Sequence, residues 1–307
     1  MNAALARRIE AFDRLAERVA FYHVSPLTLG KLMELGDFYI LDDAVFKFMT
    51  ASLQNRELSW KELLNCYDGA FGPLQHVTPN GMVVPKRNTV LEYNLVVKAF
   101  ANVIQRLGIS DLIDSWHVPL NVRFKSSCPS ALNLGRAHPT EHPHSDSWAG
   151  ESTESVTVHI PIAGDWSRNY VKMFYPSDEF QEEWLGPRST YAEGAEAVAR
   201  HYTPIDYKTA FGSLSLMDFA TLHASTREPG CGPRVSIDTT FVLKKKAMAE
   251  KLHEWRAGER ASDAVLHGIG ETHLFHFPDA PDKQVDVGSG FKHPTNLRLV
   301  ELLRSEP

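Results

Sequence analysis

The spacing of apolar residues changes period once along this chain, and that change limits the folds open to it. Up to about residue 107 the period is helical. Leu5, Ile9, Phe12, Leu15 or Ala16, and Val19 recur every three or four positions between charged residues, which predicts an amphipathic helix over 3–20. Leu91, Leu95, Val96, Phe100, Val103, Ile104 and Leu107 cover one broad side of another helix over 88–107. Residues 30–69 read as helical in pieces, with Ser59 and Glu62 at the spacing of a capping box. From residue 118 onward the period falls to two. Asn121, Arg123 and Lys125 alternate with Val122 and Phe124, and Val156, Val158 and Ile160 alternate with Thr157 and His159. Tyr170–Tyr175, Ser213–Met217 and Arg234–Leu243 continue the series between turn-forming Pro, Gly, Asp and Ser.

No stretch shows the strand and helix alternation of a doubly wound sheet. The expected class is therefore mainly β with flanking helices, an antiparallel core whose apolar face the helices cover. The chain of 307 residues reads as a single domain: mainly helical support over 1–110, a β core over 118–243, and a C-terminal helix (244–257) and tail over 244–307. Within the core, 177–210 is a polar insertion with the composition of a lid, carrying Tyr191, His201 and Tyr202.

Lys and Arg number 32 against 38 Asp and Glu, a net charge of -6 that argues against a nucleic-acid partner. Cys66, Cys128 and Cys231 form no CxxC, so neither a disulfide framework nor a zinc knuckle is expected. Arg7, Arg8, Glu10, Asp13 and Arg14 interrupt any secretory apolar run, and no segment approaches the length of a membrane span. The expectation is a soluble, cytoplasmic protein with a small-molecule partner and no membrane partner.

Potential ligands concentrate at His138, Glu141, His142, His144 and Asp146. In an extended strand, residues i and i+2 share a face, so His144 and Asp146 can point at one ion. His223, just after the apolar strand 214–217, is the best source of a third ligand. Two imidazoles and one carboxylate leave about three positions of an octahedral metal open, the arrangement of non-haem Fe(II) oxygenases. Eleven positions beyond His223, Arg234 and Ser236 open a strand in which Arg234, Ser236, Asp238 and Thr240 share one side. A guanidinium and a hydroxyl converging in a polar cavity suit a carboxylate.

His144-x-Asp146, His223 and Arg234-x-Ser236 resemble the signature of the Fe(II)/2-oxoglutarate-dependent oxygenases. The spacing from His223 to Arg234 resembles the phytanoyl-CoA dioxygenase-like branch, and the sequences at 144–148 and 162–165 resemble oxygenases of aminoglycoside and other natural-product pathways. The resemblance covers 118–243. It implies a double-stranded β-helix (jelly roll, cupin-like) with Fe(II) held by His144, Asp146 and His223. It also implies 2-oxoglutarate chelating that iron, with its distal carboxylate on Arg234 and Ser236, and dioxygen as the oxidant. The implied reaction hydroxylates a small polar natural-product or amino-acid-like molecule and releases succinate and carbon dioxide. Asp146 favours hydroxylation over halogenation, because related halogenases carry a small residue in its place.

Asn121, Arg123 and Lys125 share one face of an early strand and are further candidates for contact with 2-oxoglutarate or an anionic substrate group. Trp148, Asn169, Tyr191 and His201 are candidates for the substrate mouth, and Arg227 competes with Arg234 for the cosubstrate carboxylate. Desaturation, cyclisation and epimerisation are alternatives within the same chemistry. A cupin-type metal-dependent isomerase and a noncatalytic binding protein are alternatives outside it. The apolar stripe of the N-terminal helices serves equally as scaffold or as a homodimer contact, which leaves the oligomeric state open.

Overall fold

The computed structural model describes residues 2–54, 57–69, 76–86, 88–109, 112–118, 120–129 and 134–243. Beyond these it describes the backbone of strands Glu259–Ser262, His273–His276, Lys283–Val285, Lys292–Pro294 and Arg298–Glu301. The helix expected over 244–257 lies outside the described residues, as do the side chains of His273, His276 and His293.

Helix α1 (Ala3–Val19) starts where the Asn2 side chain accepts the Leu5 N–H at 2.9 Å, and ends at Ala20 in the left-handed region. Its buried stripe is Leu5, Arg8, Phe12, Leu15, Ala16 and Val19, the expected apolar series with Arg8 buried and Ile9 only half-buried. Helices α2 (Leu35–Ser52), α3 (Trp60–Gly69) and α4 (Val90–Leu107) follow, with α2 packed on both others. The Ser59–Glu62 capping box forms: Glu62 Oε2 accepts from the Ser59 N–H at 2.8 Å and from its hydroxyl at 2.6 Å. No helix among the described residues is long and apolar enough to cross a membrane.

The first third is not helical throughout. Strands β1 (Tyr22–Ser25) and β2 (Thr28–Leu32) form a hairpin between α1 and α2, so the start of the 30–69 stretch is strand, and β3 (Ile113–Val118) precedes the expected β core. The later strands are β4 (Asn121–Lys125), β5 (Ser155–Gly164), β6 (Asn169–Pro176), β7 (Tyr202–Pro204), β8 (Ser213–Asp218), β9 (Leu222–Arg227), β10 (Arg234–Leu243) and β11 (Glu259–Ser262). One antiparallel sheet runs β1-β2-β8-β5-β10-β3-β11, with β4 on the first half of β10, and a second runs β7-β6-β9. Strands consecutive in sequence switch sheets, β5 to β6 and β8 to β9 and back to β10, which makes the core a double-stranded β-helix.

Alternation along the large sheet sorts its side chains in an instructive way. Val122, Phe124, Val158, Ile160, Leu216, Val235 and Ile237 join Phe12, Leu41, Phe48, Val96 and Phe100 in one buried cluster, so the apolar face is the one beneath the helices. Each such side chain contributes about 1.5–3 kcal/mol of burial. The intervening positions, among them Arg123, Lys125, Thr157, His159, Ser215, Arg234, Ser236 and Asp238, fall on the opposite face and give the barrel a polar interior. The insertion over 177–210 is folded rather than merely polar: it supplies β7 and helix α5 (Tyr191–Val198).

Arg8 ties α1 to the barrel. Fully buried, it donates to Asp218 at the end of β8 (2.8 Å), to Glu182 (2.7 Å) and to the Thr153 carbonyl (3.0 Å). Removing one partner of such a cluster leaves Asp218 buried without its cation. We expect Arg8→Met to lower the free energy of unfolding by about 3–5 kcal/mol in urea denaturation; a loss below about 1 kcal/mol would contradict this role for the cluster.

Candidate active site

His144 and His223 sit opposite each other in an isolated antiparallel bridge, each donating its N–H to the other's carbonyl at 3.0 and 2.9 Å. This bridge extends the small sheet by one row and brings the two imidazole rings to 4.3 Å between centroids. Asp146 does not continue a strand, contrary to the expectation. Ser145 is extended, and Asp146 then opens a short 3-10 turn (Asp146–Ala149) stabilised by the Ser145 side chain. One extended residue between them still puts the carboxylate on the side of the His144 ring. His223 lies within β9, the strand that follows β8.

Among the described residues His144, Asp146 and His223 are the group able to hold a metal, with ligand atoms all within 4.8 Å of one another. Asp146 Oδ1 stands 3.6 Å from His144 Nε2 and 3.8 Å from His223 Nε2, separations that one ion about 2.0–2.2 Å from each donor can bridge. The donor chemistry fits a cation. His144 Nδ1 lies 2.7 Å from the His142 carbonyl, which can only accept, so in the neutral ring Nε2 carries the lone pair. That Nε2 is buried, has no hydrogen-bond partner, and faces a carboxylate oxygen. Burial, with His144 adjacent, pushes the His223 imidazole down to about 4. Burial alone would raise the Asp146 carboxyl, but His223, His144 and Arg123 hold it well below the usual carboxylate range. Thr157 on β5 donates to Oδ2 of Asp146 at 3.4 Å. Two imidazole lone pairs and a carboxylate aimed at one point are a ligand set for a divalent metal.

Two other members of the 138–146 cluster have different partners. His138 donates to the Arg188 carbonyl at 3.3 Å, and Glu141 pairs with Arg227 at 3.2 Å. Arg227 also donates to the Ser126 carbonyl at 2.8 Å, so its guanidinium is held away from a cosubstrate role. Arg234 has no carboxylate partner among the described residues. Fully buried, its Nη1 donates to His159 Nε2 at 2.7 Å, while its Nε and the neighbouring Ser236 hydroxyl have no partner. Burial, with Arg227 and Arg123 nearby, lowers its guanidinium to about 9 even though Asp238 pulls the other way. A buried guanidinium without a carboxylate, beside a hydroxyl without a partner, fits an anion.

The three residues proposed from the early strand already have partners. Asp238 lies opposite Asn121 in the β4–β10 register and captures it at 2.8 Å, together with Arg123 through two bonds of 2.7 and 2.8 Å. Lys125 donates to Thr140 at 2.6 Å, and burial, with three arginines nearby, drives its ammonium well below its ordinary range. Of the mouth candidates, Trp148 is buried against Gly194, donates to the Trp184 carbonyl at 2.7 Å, and is packing rather than lining. Asn169 is a clamp, its amide donating to the carbonyls of Lys125, Ser126 and Gly232. His201 pairs with Glu179 at 3.0 Å and lies against Trp184. Tyr191 alone reaches the triad: its ring stacks on His144 at 4.0 Å and 19°.

No protein-family model matches the chain, and no curated protein matches it. Among solved structures it is similar to the non-heme alpha-ketoglutarate-dependent epimerase SnoN from nogalamycin biosynthesis, at 14% identity over 81% of this chain and 94% of that one, TM-score 0.39. It is similar to the carbocyclase SnoK from nogalamycin biosynthesis at 11% identity over 74% and 83%, TM-score 0.41. It is similar to EctD from S. alaskensis, solved with 2-oxoglutarate and 5-hydroxyectoine, at 17% identity over 85% and 86%, TM-score 0.39. At TM-scores of this size the chemistry of the site is read from its own side chains.

Replacing His144 or Asp146 by Ala should weaken Co(II) or Mn(II) binding by about 100-fold or more, beyond the loss expected for an outer hydrogen-bond partner. Isothermal titration calorimetry checks this, and an affinity equal to that of the unaltered protein would remove the residue from the ligand set.

Proposed function

We propose that the chain is an Fe(II)- and 2-oxoglutarate-dependent dioxygenase that hydroxylates a small polar molecule, with release of succinate and carbon dioxide. The observation that carries this reading is a pair of unmet needs in one polar barrel: a buried imidazole lone pair facing a carboxylate, and a buried guanidinium and hydroxyl without an anion. His144, Asp146 and His223 would hold the iron; Arg234 and Ser236 would hold the distal carboxylate of 2-oxoglutarate. When bound, these groups supply the activation of dioxygen against a carbon–hydrogen bond.

The chain's own residues do the positioning. The His142 carbonyl fixes the tautomer of His144, so its lone pair is aimed before any metal arrives. Thr157 restrains the second oxygen of Asp146, and Tyr191 covers one face of the His144 ring and keeps water from it. Asp146 keeps 22% of its side chain exposed, which leaves the triad a side from which a substrate would approach. On this reading the 177–210 segment forms the wall of the substrate mouth through Tyr191. Cys66 and Cys128 are exposed free thiols, which suits the reducing cytoplasm.

Succinate formed from 2-oxoglutarate under air, with Fe(II) and a panel of amino acids, cyclitols and amino sugars, tests the proposal. Asp146→Ala should abolish that formation. Arg234→Met should raise the KM for 2-oxoglutarate by about 10- to 100-fold, the loss of charge-assisted hydrogen bonds worth about 1.5–3 kcal/mol. Unchanged succinate formation in Asp146→Ala would defeat the assignment.

A further inference from the structure

We infer that His159 is a positioning residue for the cosubstrate anchor, orienting Arg234 through Nε2 and offering its own Nδ1–H to the same carboxylate. The inference rests on the functional reading above and extends it to a residue outside the motif.

His159 lies in the middle of β5, opposite Asp238 of β10 and Ser215 of β8, and is buried in the polar interior. Its Nε2 lies 2.7 Å from Arg234 Nη1. A guanidinium can only donate, so Nε2 must accept, and a neutral ring must then carry its proton on Nδ1. Burial, with the Arg234 cation adjacent, drives the imidazole down to about 3, which keeps the ring neutral near pH 7. The tautomer is therefore dictated by the arginine.

The consequence is a buried N–H without an acceptor. His159 Nδ1, Arg234 Nε and Ser236 Oγ all lack partners, on two paired strands of the same sheet. A buried polar group left unsatisfied costs about 1–3 kcal/mol, so three on the polar face of two paired strands call for a partner. A carboxylate, with about four acceptor sites on two oxygens, can serve all three. Two other cations of the interior already have carboxylate partners. Arg123 is closed by Asp238, Arg227 by Glu141, and Lys125 donates to Thr140. The Nε2 contact meanwhile holds the Arg234 guanidinium in one orientation, which reduces what must be ordered when the ligand arrives.

The test compares two ligands that differ only at the far end, 2-oxoglutarate and 2-oxopentanoate, titrated anaerobically into the Fe(II)-loaded full-length protein. We expect His159→Leu to weaken 2-oxoglutarate about tenfold or more, while 2-oxopentanoate and Co(II) affinities stay within about threefold. His159→Gln, whose amide both accepts and donates, should restore most of the loss. Equal weakening of both ligands, or wild-type affinity for 2-oxoglutarate in His159→Leu, would overturn the inference while leaving the functional reading intact. A wild-type protein that does not prefer 2-oxoglutarate to 2-oxopentanoate would sink the functional reading and the inference with it. Histidine 15N NMR of the Zn(II)-loaded wild-type protein needs no variant. A neutral Nδ1–H tautomer at His159 whose signal shifts with 2-oxoglutarate but not with 2-oxopentanoate is the expected result, and an Nε2–H tautomer is the contrary one.

Discussion

Two backbone hydrogen bonds between residues 144 and 223 hold the site together. They join segments nearly eighty positions apart in sequence, and they are made by main-chain groups that every residue but proline carries, so the histidines are brought face to face by the sheet and not by attraction between their rings. Once the bridge exists, a single extended residue and a tight turn suffice to bring Asp146 to both imidazoles. The repulsion between two lone pairs and a carboxylate is then a property of the fold, which a divalent cation relieves.

The barrel that carries this bridge is turned inside out relative to a simple sandwich. Its apolar positions face the helices and its polar positions face each other, so the stability of the whole rests on the helical layer. That explains why the first third of the chain, apart from the β1–β2 hairpin, is mainly helical. It also explains why the interior is wired so completely: Arg123 to Asp238, Lys125 to Thr140, Arg227 to Glu141, Arg234 to His159. Unpaired charges in such an interior would be far more costly than in water. Among the buried side-chain atoms left without partners are His144 Nε2, Arg234 Nε and Ser236 Oγ, where the proposed iron and cosubstrate would bind.

Much of this was legible in the sequence, and the reason differs by residue. The strand from Arg234 to Leu243 could be read because ten residues of alternation leave no other period, and the sides it assigned to Arg234 and Val235 are the sides they occupy. The strand holding His223 could not be read, since Leu222, Ala224 and polar neighbours resemble a loop. Asn121 and Arg123 looked free to meet a ligand because their captor, Asp238, is over a hundred positions away and becomes their neighbour only through the β4–β10 register. Trp148 and Asn169 were drawn to the mouth by nearness in sequence to Asp146 and to the turn at 164–166, but the indole has a helix glycine to lie on and the amide has three carbonyls to hold. His159 carried no motif at all; only its contact with Arg234 distinguishes it from any histidine in a strand.

The most direct test of the account is an anomalous-difference map from crystals grown with Mn(II) and 2-oxoglutarate. One strong metal peak bounded by His144 Nε2, an oxygen of Asp146 and His223 Nε2 is expected, with the far carboxylate of the ligand beside Arg234 and Ser236. A metal peak on other side chains, with these three turned away from one another, would contradict it.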